Sequence, residues 1–106
     1  MDDKKFSVIL SRRSEIMMLS HTEFLVRVSV VSARKLLSEF KKVTGRIAEN
    51  PHQFPYADEL DANGIPLQTY RKAMFYSRYK ALFVVEGNNA YVDAIIDCRQ
   101  ENNDIF

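Results

Sequence analysis

The chain is poor in the residues that commit a protein to special chemistry. Among its 106 residues there is one cysteine, Cys98, no tryptophan, three glycines and three prolines. A lone cysteine excludes an intrachain disulfide and a multi-thiolate metal site, and sets a reducing compartment as the expectation. Net charge is nearly absent: 15 Lys and Arg against 14 Asp and Glu leave +1. A domain that lives on phosphate contacts carries a clear basic excess, which is missing here. No apolar run approaches the roughly 20 residues of a membrane helix, and the opening MDDKKFSVIL has neither the long apolar segment nor the cleavage site of a secretory leader. The expectation is a soluble cytoplasmic protein without cofactor, metal or membrane association.

What is present is an ordinary globular composition, 46% hydrophobic and 27% charged. The length fits one domain, residues 1–106, able to bury somewhat over roughly 60% of its unfolded surface in one core. Phe6, Val8 and Leu10 alternate with Ser7, Ile9 and Ser11, the pattern of a strand of five or six residues. The period then changes to steps of four and three at Met17, His21, Phe24, Val28 and Val31, one face of a helix capped by Ser14. A second helix follows on Ala33, Leu36, Leu37, Phe40, Val43 and Ile47, with Ser29 as cap and Asn50-Pro51 as stop. A link this short makes an antiparallel hairpin. Gly45 inside the second helix costs about 1 kcal/mol relative to alanine, which a close helix crossing would explain.

Residues 51–69 hold all three prolines and the Asn63-Gly64 turn signal, a long connection that is functional or hides a short element. The remainder reads as three strands, Tyr70–Tyr76, Tyr79–Glu86 and Ala90–Cys98, rich in β-branched and aromatic residues. A two-residue turn at Asn88-Asn89 pairs Val85 with Val92, Phe83 with Ala94 and Ala81 with Ile96 on an apolar face. The other face then pairs Lys80 with Asp97 and Val84 with Asp93 and carries Arg71 on the same side as Asp93, while Cys98 goes inward as a small hydrophobe. Strand, helix hairpin, loop and meander make an α+β two-layer domain, the hairpin packed on one face of a small, mainly antiparallel sheet.

In this order the segments resemble the RelE/ParE superfamily of toxins from type II toxin–antitoxin modules, plasmid-stabilisation proteins included. The resemblance rests on "FSVILS" entering a helix, on "SARKLLSEF" and "IAENP", and above all on "YRKAMFYSRYKALFVVEGNNAYVDAIIDCRQEN". Arg71 opens the meander, "YKALF" is the Tyr-basic-x-x-aromatic strand, and "RQE" is the Arg-polar-acidic close. The resemblance implies one of two activities. RelE-like members cut messenger RNA on the ribosome. ParE-like members lack that catalytic set and inhibit DNA gyrase by protein contact. A cognate antitoxin is the implied partner of either, and a non-toxic relic that only binds its antitoxin is a third reading.

Weighed singly, Arg71 and Arg99 are the candidates for gripping a scissile phosphate, because a guanidinium holds oxyanions in a bidentate way. Each has an equally plain structural reading as half of a surface ion pair. Cleavage through the RNA 2′-hydroxyl also needs an acid and a base. The chain closes on Asp104, Ile105 and Phe106, whereas many ribosome-dependent members place a tyrosine or histidine near their end. His21 falls on a helix's apolar face, and His52 has no visible partner. Tyr70, Tyr76, Tyr79 and Tyr91 suit base stacking and strand formation alike. The near-neutral charge and the incomplete acid–base set favour the ParE-like reading. Its candidate partner-binding residues are Phe24, Leu25, Val31, Arg34, Leu37 and Lys41 of the hairpin, together with Arg99.

Overall fold

The computed structural model describes residues 5–57, 63–64 and 70–99. Strand β1 (Ser7–Leu10) runs directly into helix α1 (Arg12–Val28), and Ser11 is the joint between them. Its backbone N–H donates to Val92 O at 2.9 Å, as a strand residue's would. Its hydroxyl accepts the N–H of Ser14 at 3.0 Å and so caps the helix. The cap is therefore Ser11 and not Ser14, which is fully buried and donates its own hydroxyl back to Ser11 O at 2.9 Å. The helix starts earlier than expected, which shortens β1 to four residues.

Ser29 is the second joint, and here the expectation holds. It ends α1 and caps α2 (Val30–Glu49) at once. Its N–H donates to Leu25 O at 2.7 Å, and its hydroxyl accepts the N–H of Ser32 at 3.2 Å. Helix α2 stops at Asn50, before Pro51, and a single 3-10 turn follows at Pro51–Gln53. On α2 the buried residues are Ala33, Leu36, Val43, Ile47 and Ala48, while Leu37 is half exposed. On α1 the buried stripe is Ser14, Met18 and Leu25, rotated by one residue from the predicted stripe. Phe24 and Val28 consequently face solvent. The periodicity misleads because α1 is apolar on more than one side: Ile16, Leu19 and Val26 are exposed as well. Gly45 has no close crossing to explain it, for a methyl added there meets nothing within 4 Å.

Strands β2 (Arg71–Phe75), β3 (Tyr79–Glu86) and β4 (Asn89–Asp97) form the antiparallel meander, and β1 joins β4 in parallel. The sheet order is β1-β4-β3-β2. Leu36 and Ile47 of α2 and Met18 and Leu25 of α1 share one core with Ala73, Phe75, Tyr79, Ala81, Phe83, Val92 and Ile95 of the sheet. The result is the two-layer α+β domain that the sequence predicts. The opposite face carries a smaller cluster of Ala57, Leu82, Ala94 and Ile96.

The register differs from the expected one. The turn is Gly87-Asn88, with Glu86 opposite Asn89, Val85 opposite Ala90 and Phe83 opposite Val92. Gly87 has φ 58° while Asn88 does not enter the left-handed region, the II′ arrangement with glycine first. Beyond Val92 the pairing slips, so that Leu82 lies opposite Ala94 and Tyr79 opposite Asp97. Asp93 is the extra residue of this β-bulge. A bulge reverses which face each later side chain occupies. Ala90 and Val92 point to the helices before it, and Ile95 joins them after it, while Ala94 and Ile96 go to the other face. Asp97 thereby comes to the helix side, and Cys98, expected inside, is exposed.

Candidate functional site

The reversed parity brings Asp97 together with polar side chains of α1 and of the β2–β3 turn at the C-terminal end of β4. Arg78 sits at the end of the Tyr76-Ser77-Arg78 turn and leads into β3. Its Nη2 donates to Asp97 Oδ2 at 2.8 Å, and its Nε lies 3.2 Å from both carboxylate oxygens. Asp97 also accepts the backbone N–H of Arg99 at 3.0 Å. His21 of α1 bonds through Nε2 to Ile95 O at 2.8 Å; a carbonyl only accepts, so Nε2 carries the proton. This bond occupies the side of β4 that β1, ending opposite Val92, leaves uncovered. Ser20, His21, Phe24, Arg78, Asp97 and Arg99 line a cavity of about 400 Å³.

The electrostatics follow from these contacts. Burial alone pushes the Asp97 carboxyl up, but the Arg78 hydrogen bonds, the Arg99 N–H and the Arg78 charge outweigh it, and the net shift is downward. The fork to Asp97 in turn raises Arg78 above its ordinary value despite partial burial. The Arg78 guanidinium also lies 5.1 Å from the Tyr79 ring and 5.9 Å from the Phe24 ring. Tyr79 is wholly buried, and its hydroxyl finds no hydrogen-bond partner among the described residues. Arg99 is exposed, and no side-chain hydrogen bond or ion pair ties its guanidinium to another described residue. Partial desolvation pushes the Cys98 thiol up, the Lys80 charge opposes this and Asp97 adds to it, and the net shift is upward.

Arg71 lies elsewhere and has other work. Its Nη1 donates to Phe54 O at 2.7 Å, its Nη2 to the Tyr56 hydroxyl at 3.2 Å, and the guanidinium stacks 4.2 Å from the Tyr56 ring. With Ala57 N–H on Tyr70 O and Lys72 N–H on Pro55 O, it clips residues 54–57 along the free edge of β2. With the 3-10 turn at Pro51–Gln53, this clip is the local structure that the described part of the 51–69 connection holds. The Asn63-Gly64 turn is also present, with Gly64 at φ 78°. Arg71 and Asp93, expected on one outer face, have separate partners: Arg71 turns to Phe54 and Tyr56, while Asp93 Oδ2 accepts from the Tyr70 hydroxyl at 2.6 Å. That bond and burial push the Tyr70 phenol up to about 12, burial being the larger cause. Lys80 and Asp97 do not face each other, since Lys80 lies opposite Ile96.

The structure does not bring Arg71 and Arg99 to one point. Arg71 pairs with Phe83, whereas Asp97 pairs with Tyr79 four residues along β3. At ~3.3 Å per residue the two ends are roughly 13 Å apart along the strands. Of the hairpin candidates, Phe24, Val31, Arg34, Leu37 and Lys41 are exposed. Leu25 is a correction: at 5% exposure it belongs to the core and presents nothing to a partner. Asp104, Ile105 and Phe106, with the Gln100 and Glu101 of "RQE", lie outside the described residues. Sequence reasoning missed Arg78 as a member of the site. The signal was a charge just before one strand and an opposite charge at the end of the next, obscured by the bulge.

No family model and no curated protein matches the chain. A solved structure does, a chain of the "Chromosomal ParDE TA system from P. aeruginosa". The superposition has a TM-score of 0.67 and covers 88% of this chain and 96% of that one. The two share a fold. Sequence identity is only 14%, so the ParDE-like arrangement rests on a common pattern of elements more than on common side chains.

Proposed function

We propose that the chain is the toxin of a type II toxin–antitoxin module and that it acts in the ParE-like manner, inhibiting DNA gyrase by protein contact. The observation that carries the toxin reading is the ParDE-like fold over 88% of the chain, joined to the superfamily resemblance of the sequence. The non-enzymatic lean is supported by the separation of Arg71 from Arg99 and by the commitment of Arg71 to Phe54 and Tyr56. A fully buried Tyr79 and a tethered Tyr70 also leave fewer rings for stacking on RNA bases. The cognate antitoxin is the proposed partner, captured on the exposed hairpin at Phe24, Val31, Arg34, Leu37 and Lys41, with Arg99 at its margin. Exposed apolar side chains at this density mark an interaction face.

Expression in bacteria without the antitoxin tests the reading. Filamentation, a DNA-damage response and loss of supercoiling by purified gyrase are the expected outcome. Rapid arrest of translation with ribosome-bound mRNA cleaved would instead establish a RelE-like endoribonuclease. In that case Arg71→Ala and Arg99→Ala should each abolish killing. No toxicity at all would leave the relic that only binds its antitoxin.

A further inference from the structure

The cavity at the end of β4 is lined mainly by hydrogen-bonding side chains. Its lining holds two guanidinium groups, Arg78 and Arg99, against one carboxylate, Asp97. Arg78 and Asp97 satisfy each other, which leaves the charge of Arg99 as the excess. The carboxylate oxygens that face Arg78 and the Arg99 N–H are occupied. His21 has Nε2 committed to Ile95 O. The donors that remain are the N–H groups of Arg99, the outer N–H groups of Arg78 and the hydroxyl of Ser20. The Phe24 ring, 53% exposed, supplies an apolar wall. Tyr79 packs against two of the lining residues, His21 and Arg78, both at 5.1 Å.

We infer that this cavity is a carboxylate-binding site, in which Arg99 grips the ligand and the Arg78–Asp97 pair holds the floor in shape. A planar monocarboxylate matches the guanidinium fork in shape and the excess of one positive charge in magnitude. A phosphate dianion does not, because Asp97 lines the same cavity and repels the second charge. The carboxylate can come from a small acid in solution or from an acidic side chain of a protein. The Phe24 wall favours a carboxylate with an apolar neighbour. The inference stands apart from the choice of toxin target, since it uses only the local geometry.

NMR of the full chain tests it. Sodium acetate, inorganic phosphate at pH 8 and acetyl-Glu-Leu-amide are titrated separately at constant ionic strength, balanced with sodium chloride. The readout is the side-chain Nε–H signals of Arg78 and Arg99. Saturable shifts are expected with acetate, and tighter binding is expected with the peptide if the source is a protein side chain. Equal affinity for the two would assign the site to small acids. Arg99→Gln should weaken acetate binding about tenfold, the loss of one charge-assisted contact. Arg12→Gln, the same charge removed from an exposed position on α1, should change it less than about twofold. The inference is overturned if acetate gives no saturable shift beyond chloride, if phosphate binds more tightly than acetate, or if Arg99→Gln leaves the affinity unchanged.

Discussion

A carboxylate at the buried end of an inner strand survives only with partners, and Asp97 has them in Arg78 and the Arg99 N–H. The side chains of the pair are 5% and 15% exposed, so screening is slight. Asp97→Asn should destabilise the fold at the low end of the roughly 3–5 kcal/mol seen when one member of a buried pair is removed. Arg78→Met with Asp97→Asn should recover part of that loss, because no charge is then stranded. The pH dependence has a definite sign. The folded-state value of Asp97 is held below its ordinary 3.8. Its stabilisation is therefore complete above about pH 4 and is lost as pH falls through the lower, folded value. Urea unfolding between pH 2 and 7 should show a steeper acid loss in the wild-type chain than in Asp97→Asn. Parallel curves would mean that the pair contributes nothing differential.

At the scale of elements, the cap and stop of α2 were legible in the sequence, whereas the cap of α1 was not, being Ser11 and not Ser14. Ser29 and Asn50-Pro51 fall where local chemistry demands them. The strand segments were legible too, because β-branched and aromatic runs between turn residues have few alternatives. The register was not. Nothing in "AYVDAIID" announces that Asp93 stands out of the ladder, and that one residue moved Asp97 and Cys98 to opposite faces, while the turn at Gly87-Asn88 and the bulge together moved the partner of Lys80 to Ile96. The α1 face was misread for a different reason, since a helix with apolar residues on several sides has no single periodic answer. Arg99 was legible as a candidate, whereas the site around it depends on long-range pairing and so was not. Gly45 remains a simple test of what helix propensity alone contributes. With open space around its missing methyl, Gly45→Ala should stabilise the chain by about 1 kcal/mol, read as a higher urea midpoint at unchanged slope. A lower midpoint would mean that the helix needs the glycine for a reason outside its own backbone.

The whole molecule divides its work between two layers. The sheet and the inner sides of the helices supply the core, and the outer sides of the helices keep apolar residues that the core does not use. Val31 at 64% and Leu19 at 59% exposure are among them. Under the proposed function this surplus is a recognition surface, and its removal should separate stability from binding. Val31→Glu and Leu37→Glu should leave unfolding free energy within about 0.5 kcal/mol of wild type, while weakening co-purification with the cognate antitoxin. Undiminished capture by the double variant would move the antitoxin interface off the hairpin.

The single-residue joint at Ser29 gives that surface a mechanical character. With no slack between them, α1 and α2 behave as two rigid arms welded at a corner, roughly 25 and 30 Å long at ~1.5 Å per residue. Val28 and Val31 flank the weld. A partner that seizes them takes hold of both arms at their shared fulcrum. The far ends are fixed to the sheet, α1 through Ser11 on β4 and α2 through Ala48 O, which accepts the Phe6 N–H just before β1, so a partner held at the corner meets a hairpin anchored at both ends.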